Sequence, residues 1–216
     1  MQDRTLHYIH DPLCGWCYAA DPLVSALRLN LPKDIELKLH GGGMIRGPVA
    51  LSSDLRSAIP SFAAKIAELT GQVFGEPFMD AFIKGNPERV DSYTIIRGEL
   101  AVEFGTNDPL PFLKELQKQH FLNGVNICEL DGLREVAALT GYSETDFDSW
   151  LANISEADVE HHVEATRTLL AKSGGSGFPT FVLESAGQMR RLDHAAYYSR
   201  PEDFSALVQQ QLETAG

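Results

Sequence analysis

The chain has 216 residues, of which 44% are apolar and 22% charged. That is the balance of a globular protein with room for a substantial core, and it excludes collagen-like, mostly disordered and disulfide-scaffold chains. Eighteen Lys and Arg against thirty Asp and Glu leave a net charge of −12. Such a chain is repelled by phosphate backbones and anionic membranes, so neither nucleic acid nor a membrane is expected as partner. No basic and then apolar leader opens the sequence, and no run approaches about 18 apolar residues. A cytoplasmic protein without a membrane span is the expectation.

Residues 4–10 alternate around Leu6 and Tyr8, the pattern of a short strand. Asp11-Pro12 breaks it. Helical spacing then runs from Cys14 through Tyr18, Leu23, Val24, Leu27 and Leu31, predicting a helix of about 17 residues. Residues 35–40 alternate cleanly and predict a second strand, completing a βαβ unit. Gly41-Gly42-Gly43 opens a flexible loop through Pro48, without the Lys-Ser/Thr ending of a nucleotide-binding loop. Helical spacing dominates the next 120 or so residues, with segments at 52–72, 76–84, 91–105, 109–120, 130–140, 144–151 and 155–173. The pattern turns β-rich after Gly177-Phe178-Pro179, with a hairpin over 179–183 and 188–192 and a last helix over 201–213. The fold class is therefore α/β. Residues 1–50 and 174–216 are expected to form one discontinuous sheet domain, with 51–173 inserted as a helical domain.

Three cysteines, Cys14, Cys17 and Cys128, are too few and too odd for a disulfide framework. Cys14-Gly15-Trp16-Cys17 sits where a strand gives way to a helix. A sulfur at a helix N-terminus faces unpaired N–H groups and the positive end of the dipole, so its pKa falls below the free value of about 8.5. Cys14 is thus the candidate nucleophile and Cys17 the deeper, resolving thiol. Gly15 and Trp16 are uncharged, so a moderately reactive thiol is expected. The alternatives are a pair of inert buried cysteines or half of a zinc site. Zinc wants four ligands, and no second Cys pair exists. His161-His162, flanked by acidic residues, reads as a solvated face. Cys128 reads as a small buried hydrophobe, and Phe147 and Trp150 as core.

The segment Asp11-Pro12-Leu13-Cys14-Gly15-Trp16-Cys17-Tyr18, together with Gly177-Phe178-Pro179-Thr180-Phe181-Val182, resembles the DsbA family of thioredoxin-fold oxidoreductases. The likeness covers nearly the whole chain. It is strongest to the FrnE-like, cytoplasmic protein-disulfide-isomerase branch, related to 2-hydroxychromene-2-carboxylate isomerases and kappa-class glutathione transferases. The resemblance implies a thioredoxin-like fold (βαβ…ββα) with a large all-helical insertion. It implies that Pro179 is cis and faces the Cys14–Cys17 pair, leaving the backbone of Phe178 free for an extended substrate. Gly177, Phe178 and Trp16 are then the expected substrate-binding residues, and the 41–48 loop borders the site. Pro22 stands where such folds kink the first helix, the alternative being a plain helix start at Asp21-Pro22.

One departure matters. Many relatives carry a buried carboxylate six residues before the first cysteine, where this chain has Tyr8. His7, His10, water or a residue elsewhere must then move the proton, although either histidine reads first as a strand-surface residue. The expected activity is thiol–disulfide exchange on protein or small-molecule thiols and disulfides. It needs no metal and no organic cofactor, with glutathione as a possible co-substrate. A glutathione-dependent isomerase or transferase, and a redox-regulated chaperone, are the competing readings.

Overall fold

The computed structural model describes residues 4–85 and 87–214, so the outermost residues of the expected division, 1–3 and 215–216, lie outside it. A four-stranded sheet forms from the two ends of the chain. β1 (Arg4–His10) runs parallel to β2 (Glu36–Gly41) and antiparallel to β5 (Thr180–Ser185), which pairs with β6 (Gln188–Leu192). The strand order is β2-β1-β5-β6. This is a mixed sheet with its two central strands covered on both faces.

One face is covered by α2 (Asp21–Asn30) and α10 (Pro201–Thr214). Leu6, Tyr8, Phe181 and Leu183 of the sheet meet Leu23, Leu27, Phe204 and Val208 there. Tyr8 stacks on Phe181 with ring centroids 4.9 Å apart. Burying an aromatic of this kind stabilises by up to about 3 kcal/mol. On the other face lie α5 (Ser92–Thr106) and α9 (Glu156–Lys172). Ile96 packs on Gly41, and Arg167 donates to the carbonyls of Gly42 and Gly43.

The remaining helices, α3 (Ser53–Thr70), α4 (Glu76–Ile83), α6 (Leu110–Phe121), α7 (Leu130–Thr140) and α8 (Glu144–Ala152), lie between the sheet-forming ends in sequence. The starts of α3, α5, α8 and α9 follow capping chemistry. Ser52, Asp91, Ser143 and Ser155 each accept a first-turn N–H, and Ser155 with Asp158 closes a capping box. Ile66, Leu110 and Leu113 join the core beneath the sheet, so these helices share apolar interior with the sheet. Among the described residues, no helix is long and apolar enough to cross a membrane.

The structure departs from the expected elements at four places. The first helix is two: α1 (Gly15–Ala19) ends at Ala20, and α2 restarts with Pro22 in its first turn. Pro22 has no N–H to give, which is free of cost only at a helix start. The loop after β2 contributes β3 (Val49–Ala50), paired with β4 (Arg89–Val90), a two-residue ribbon too short for any alternation to register. His162 is not on a solvated face; its Nε2 accepts the Gly41 N–H at 3.0 Å, and burial holds its pKa down at about 4. His7 and His10 are buried rather than strand-surface residues. The ring of His7 lies between His40 Nε2, at 2.9 Å, and Glu184 Oε2, at 3.0 Å.

His10 meets a buried carboxyl. Its Nε2 lies 3.2 Å from Glu99 Oε2, off the line of a hydrogen bond, and Glu99 Oε1 has no partner among the described residues. Burial drives both toward neutrality, lowering His10 to about 3 and raising Glu99 well above its ordinary 4.5. Glu99 in the folded protein keeps a proton that the unfolded chain releases above pH 4.5. The folded state is therefore progressively penalised as pH rises from 4.5 toward the folded pKa. Glu99→Gln should be more stable than the natural protein at pH 8, with the difference vanishing toward pH 4. Urea unfolding midpoints across that range read it directly.

Candidate active site

The chain leaves β1 at His10, and Asp11 to Leu13 turn it into α1. Cys14 is the N-cap of that helix, with extended backbone at φ −84° and ψ 113°. Its carbonyl accepts the N–H groups of Cys17 and Tyr18, at 2.9 and 3.0 Å. Cys17, one turn on, is fully buried, and Cys14 keeps 7% of its surface exposed. Both are free thiols.

The two sulfurs have opposite electrostatics. The Cys17 thiol beside Cys14, and then the N–H groups of Cys17 and Trp16, pull the Cys14 pKa down against the cost of burial. Burial pushes Cys17 well above the usual thiol range, and the neighbouring Cys14 pushes it further. The partial positive charge of the helix start acts on the sulfur at the cap more than on one a turn inside. Cys17 Sγ accepts the Asp11 N–H at 3.5 Å. Tyr8, which stands where a carboxylate was to be expected, donates to the Cys17 carbonyl at 3.2 Å and burial keeps its hydroxyl protonated.

The far end of the chain closes over this pair. The Phe178–Pro179 peptide is cis. Cys14 Sγ donates to the Phe178 carbonyl at 3.6 Å. Pro179 is buried, Phe178 half-buried and Gly177 exposed. The ring of Phe178 presents its Cε1–Cζ edge to Gly42, where an added Cβ would come within 2.1 Å of it. Only a glycine permits that approach, which is how the loop after β2 borders the sulfurs. Trp16 is half-buried and tilts against Tyr198, ring centroids 5.7 Å apart. The structure thus brings Cys14, Cys17, Trp16, Gly177, Phe178 and Pro179 to one place.

Two cavities are lined by neighbours of Cys14. One, about 330 Å³, is bounded by Trp16, Gly177, Phe178, Arg191, His194 and Tyr198. The other, about 220 Å³, is bounded by Leu13 and Gly15 and by apolar side chains such as Met44, Phe62, Ile66 and Phe74. Cys128 is half-buried against the α5–α7 core, and burial raises its pKa to about 11. Phe147 is fully buried, and Trp150 packs beside it against Gly105 and Tyr142. Sequence reasoning missed Asp11 as more than a strand breaker, and missed Arg191. An acidic residue three before a reactive thiol was the available signal for the first.

No family model matches the chain, and no curated protein matches it. Among solved structures it is similar to the cytosolic disulfide reductase DsbM from Pseudomonas aeruginosa. The two are 35% identical, with 98% of this chain and 100% of that one covered and a TM-score of 0.87. This chain belongs to the DsbA family of thioredoxin-fold disulfide oxidoreductases. Within the family it falls in the FrnE-like branch. The same DsbM solved with GSH is 33% identical, covering 97% of this chain and 99% of that one, with a TM-score of 0.84. A proposed protein disulfide isomerase from Nitrosomonas europaea shares the fold at 22% identity, with a TM-score of 0.78 and 99% and 100% of the two chains covered.

The asymmetry of the sulfurs has a direct chemical readout. Iodoacetamide at pH 7–8 should modify Cys14 in the native dithiol and leave Cys17 unmodified. Both should react in urea. Peptide mass spectrometry assigns the sites, and equal native labelling of Cys17 would contradict the arrangement.

Proposed function

We propose that this family member is a disulfide reductase in which Cys14 is the nucleophile, Cys17 the resolving thiol and glutathione the small-thiol co-substrate. The observation that carries the reading is the placement of the more acidic, accessible sulfur of a dithiol against the carbonyl of a cis-prolyl peptide. The Cys14 thiolate attacks one sulfur of a substrate disulfide, and the other sulfur leaves as a thiolate that takes up a proton. Cys17 then loses its proton and attacks Cys14 Sγ, which releases the second substrate thiolate and leaves the Cys14–Cys17 disulfide. Two electrons have passed from the pair to the substrate. Two molecules of glutathione return them, giving glutathione disulfide. No metal or organic cofactor takes part.

Pro179 puts an apolar ring, with no N–H, beside the sulfurs. The Phe178 backbone offers an edge to an extended peptide thiol, and Gly177 leaves that edge uncovered. Trp16 forms one wall of the same groove. Arg191 is exposed at its rim and makes no ion pair among the described residues. Glutathione is a peptide thiol of net negative charge, and a free guanidinium suits one of its carboxylates. A reductase of this kind belongs in the cytoplasm, where thiols are kept reduced.

Cys14→Ser should reduce turnover to background in a glutathione-coupled disulfide reductase assay. Cys17→Ala should instead accumulate a mixed disulfide on Cys14, visible as an added mass that dithiothreitol removes. Full turnover by Cys17→Ala with a glutathione-dependent isomerisation or transfer substrate would favour the transferase reading. Arg191→Glu should raise the KM for glutathione about fivefold with kcat little changed, the scale of one exposed ion pair. An unchanged KM would remove Arg191 from the groove.

A further inference from the structure

Asp11 stands three residues before Cys14 and has no exposed surface. Its backbone brackets the dithiol: its N–H points at Cys17 Sγ and its carbonyl accepts the Cys14 N–H at 3.0 Å. Its carboxylate ties three segments together. Oδ1 accepts the Leu13 N–H and the Ser92 hydroxyl, each at 3.0 Å, and Oδ2 accepts the Met44 N–H at 2.6 Å. Ser92 opens α5 and Met44 follows the glycine loop, so this one side chain anchors the motif to both.

No cation pairs with it among the described residues. Arg167 of α9 attracts it from a distance, but that guanidinium donates to the Gly42 and Gly43 carbonyls. The other titratable groups facing it are Cys14 and Cys17 from α1, Glu99 from α5 and Cys128 from the segment before α7. Burial raises its pKa to about 6, and the hydrogen bonds from Met44, Leu13 and Ser92 limit the rise. Near neutral pH it is a buried negative charge beside two sulfurs.

We propose that Asp11 is a positioning residue that keeps the Cys14–Cys17 pair reducing, by fixing the loop that carries the sulfurs and by opposing thiolate charge on them. The proposal rests on the redox reading above. Reducing the disulfide with two electrons and one proton leaves a thiol at Cys17 and a thiolate at Cys14. The new negative charge arises beside one already present, so the reduced form gains less from ionising. The pair gives up its electrons more readily than a pair without that neighbour. Asp11 thereby offsets the helix start, which alone would make the pair more oxidising.

The test measures two quantities on the full chain. One is the pH dependence of Cys14 alkylation; the other is the equilibrium of the pair with glutathione and its disulfide. Asp11→Asn should shift Cys14 ionisation to lower pH and move the glutathione equilibrium toward the dithiol, about tenfold for each pKa unit. Ser92→Ala removes one donor to the carboxylate and leaves its charge in place, so Asp11 ionises at higher pH. The inflection near pH 6 in the natural Cys14 profile should then move up. That variant decides the matter if Asp11→Asn does not fold. Profiles and equilibria that coincide with the natural protein in a folded Asp11→Asn, or an unmoved inflection in Ser92→Ala, overturn the proposal while the redox reading stands. A natural protein that never equilibrates with glutathione disulfide sinks both.

Discussion

The site depends on the antiparallel pairing of β1 with β5. Antiparallel strands put the end of one beside the start of the other, and here Ile9 pairs with Thr180. The residues just after β1 and just before β5 are therefore neighbours, although about 165 positions separate them. Cys14 follows the first strand by a short turn, and Phe178–Pro179 immediately precedes the second. A one-residue slip would put Tyr8 and Phe181 on opposite faces of the sheet and carry the prolyl peptide away from the sulfur. The stacked pair Tyr8–Phe181 and the aromatic Phe204 against it resist that slip, since both would lose their buried contacts.

Given that register, the chemistry follows from where each sulfur falls on a single helical turn. Both thiols are removed from water, and burial by itself disfavours ionisation of both. The difference is that Cys14 is outside the first turn, with N–H groups directed at it, while Cys17 is inside with its sulfur toward Asp11. The same short helix thus favours the thiolate at one sulfur and leaves the other as a buried thiol. No charged side chain between the cysteines is needed for this division.

Much of this was legible in the sequence because it rests on local signals. Strand alternation at Leu6 and Tyr8, serine caps at Ser143 and Ser155, and the Cys14–Cys17 spacing each act within a few residues. The seven central helices of the inserted stretch follow their apolar periodicity closely. What was not legible came from tertiary contacts. His10 and His162 carry no local mark of their surroundings; His10 is buried and His162 half-buried because α5 and α9 close over the sheet at Gly41. The β3–β4 ribbon pairs residues about 40 apart over two positions. The break at Ala20 is a choice between two outcomes of the same proline, a kink within one helix or the start of another, which Pro22 alone does not decide. Asp11 read as a turn residue because Asp-Pro ends strands in general, and its three donors come from Leu13, Met44 and Ser92, only one of which is near in sequence.

These tertiary contacts also change what the helical stretch is for. Gly15, inside the motif, abuts Ile66 of α3 and Phe74, where an added Cβ would meet them at 3.0 and 3.6 Å. Ser92 holds the Asp11 carboxylate, and Arg167 holds the glycine loop on which Phe178 rests. The sheet brings the sulfurs and the prolyl peptide together, but the helices between its two halves determine their solvent, their nearest charge and the wall of the apolar cavity beside them. The sheet leaves the electrostatic setting of the dithiol to whatever packs over it. In this chain that covering supplies a hydrogen-bonded carboxylate that, among the described residues, pairs with no cation, and its charge opposes ionisation of the sulfurs beside it while the helix start favours it at Cys14.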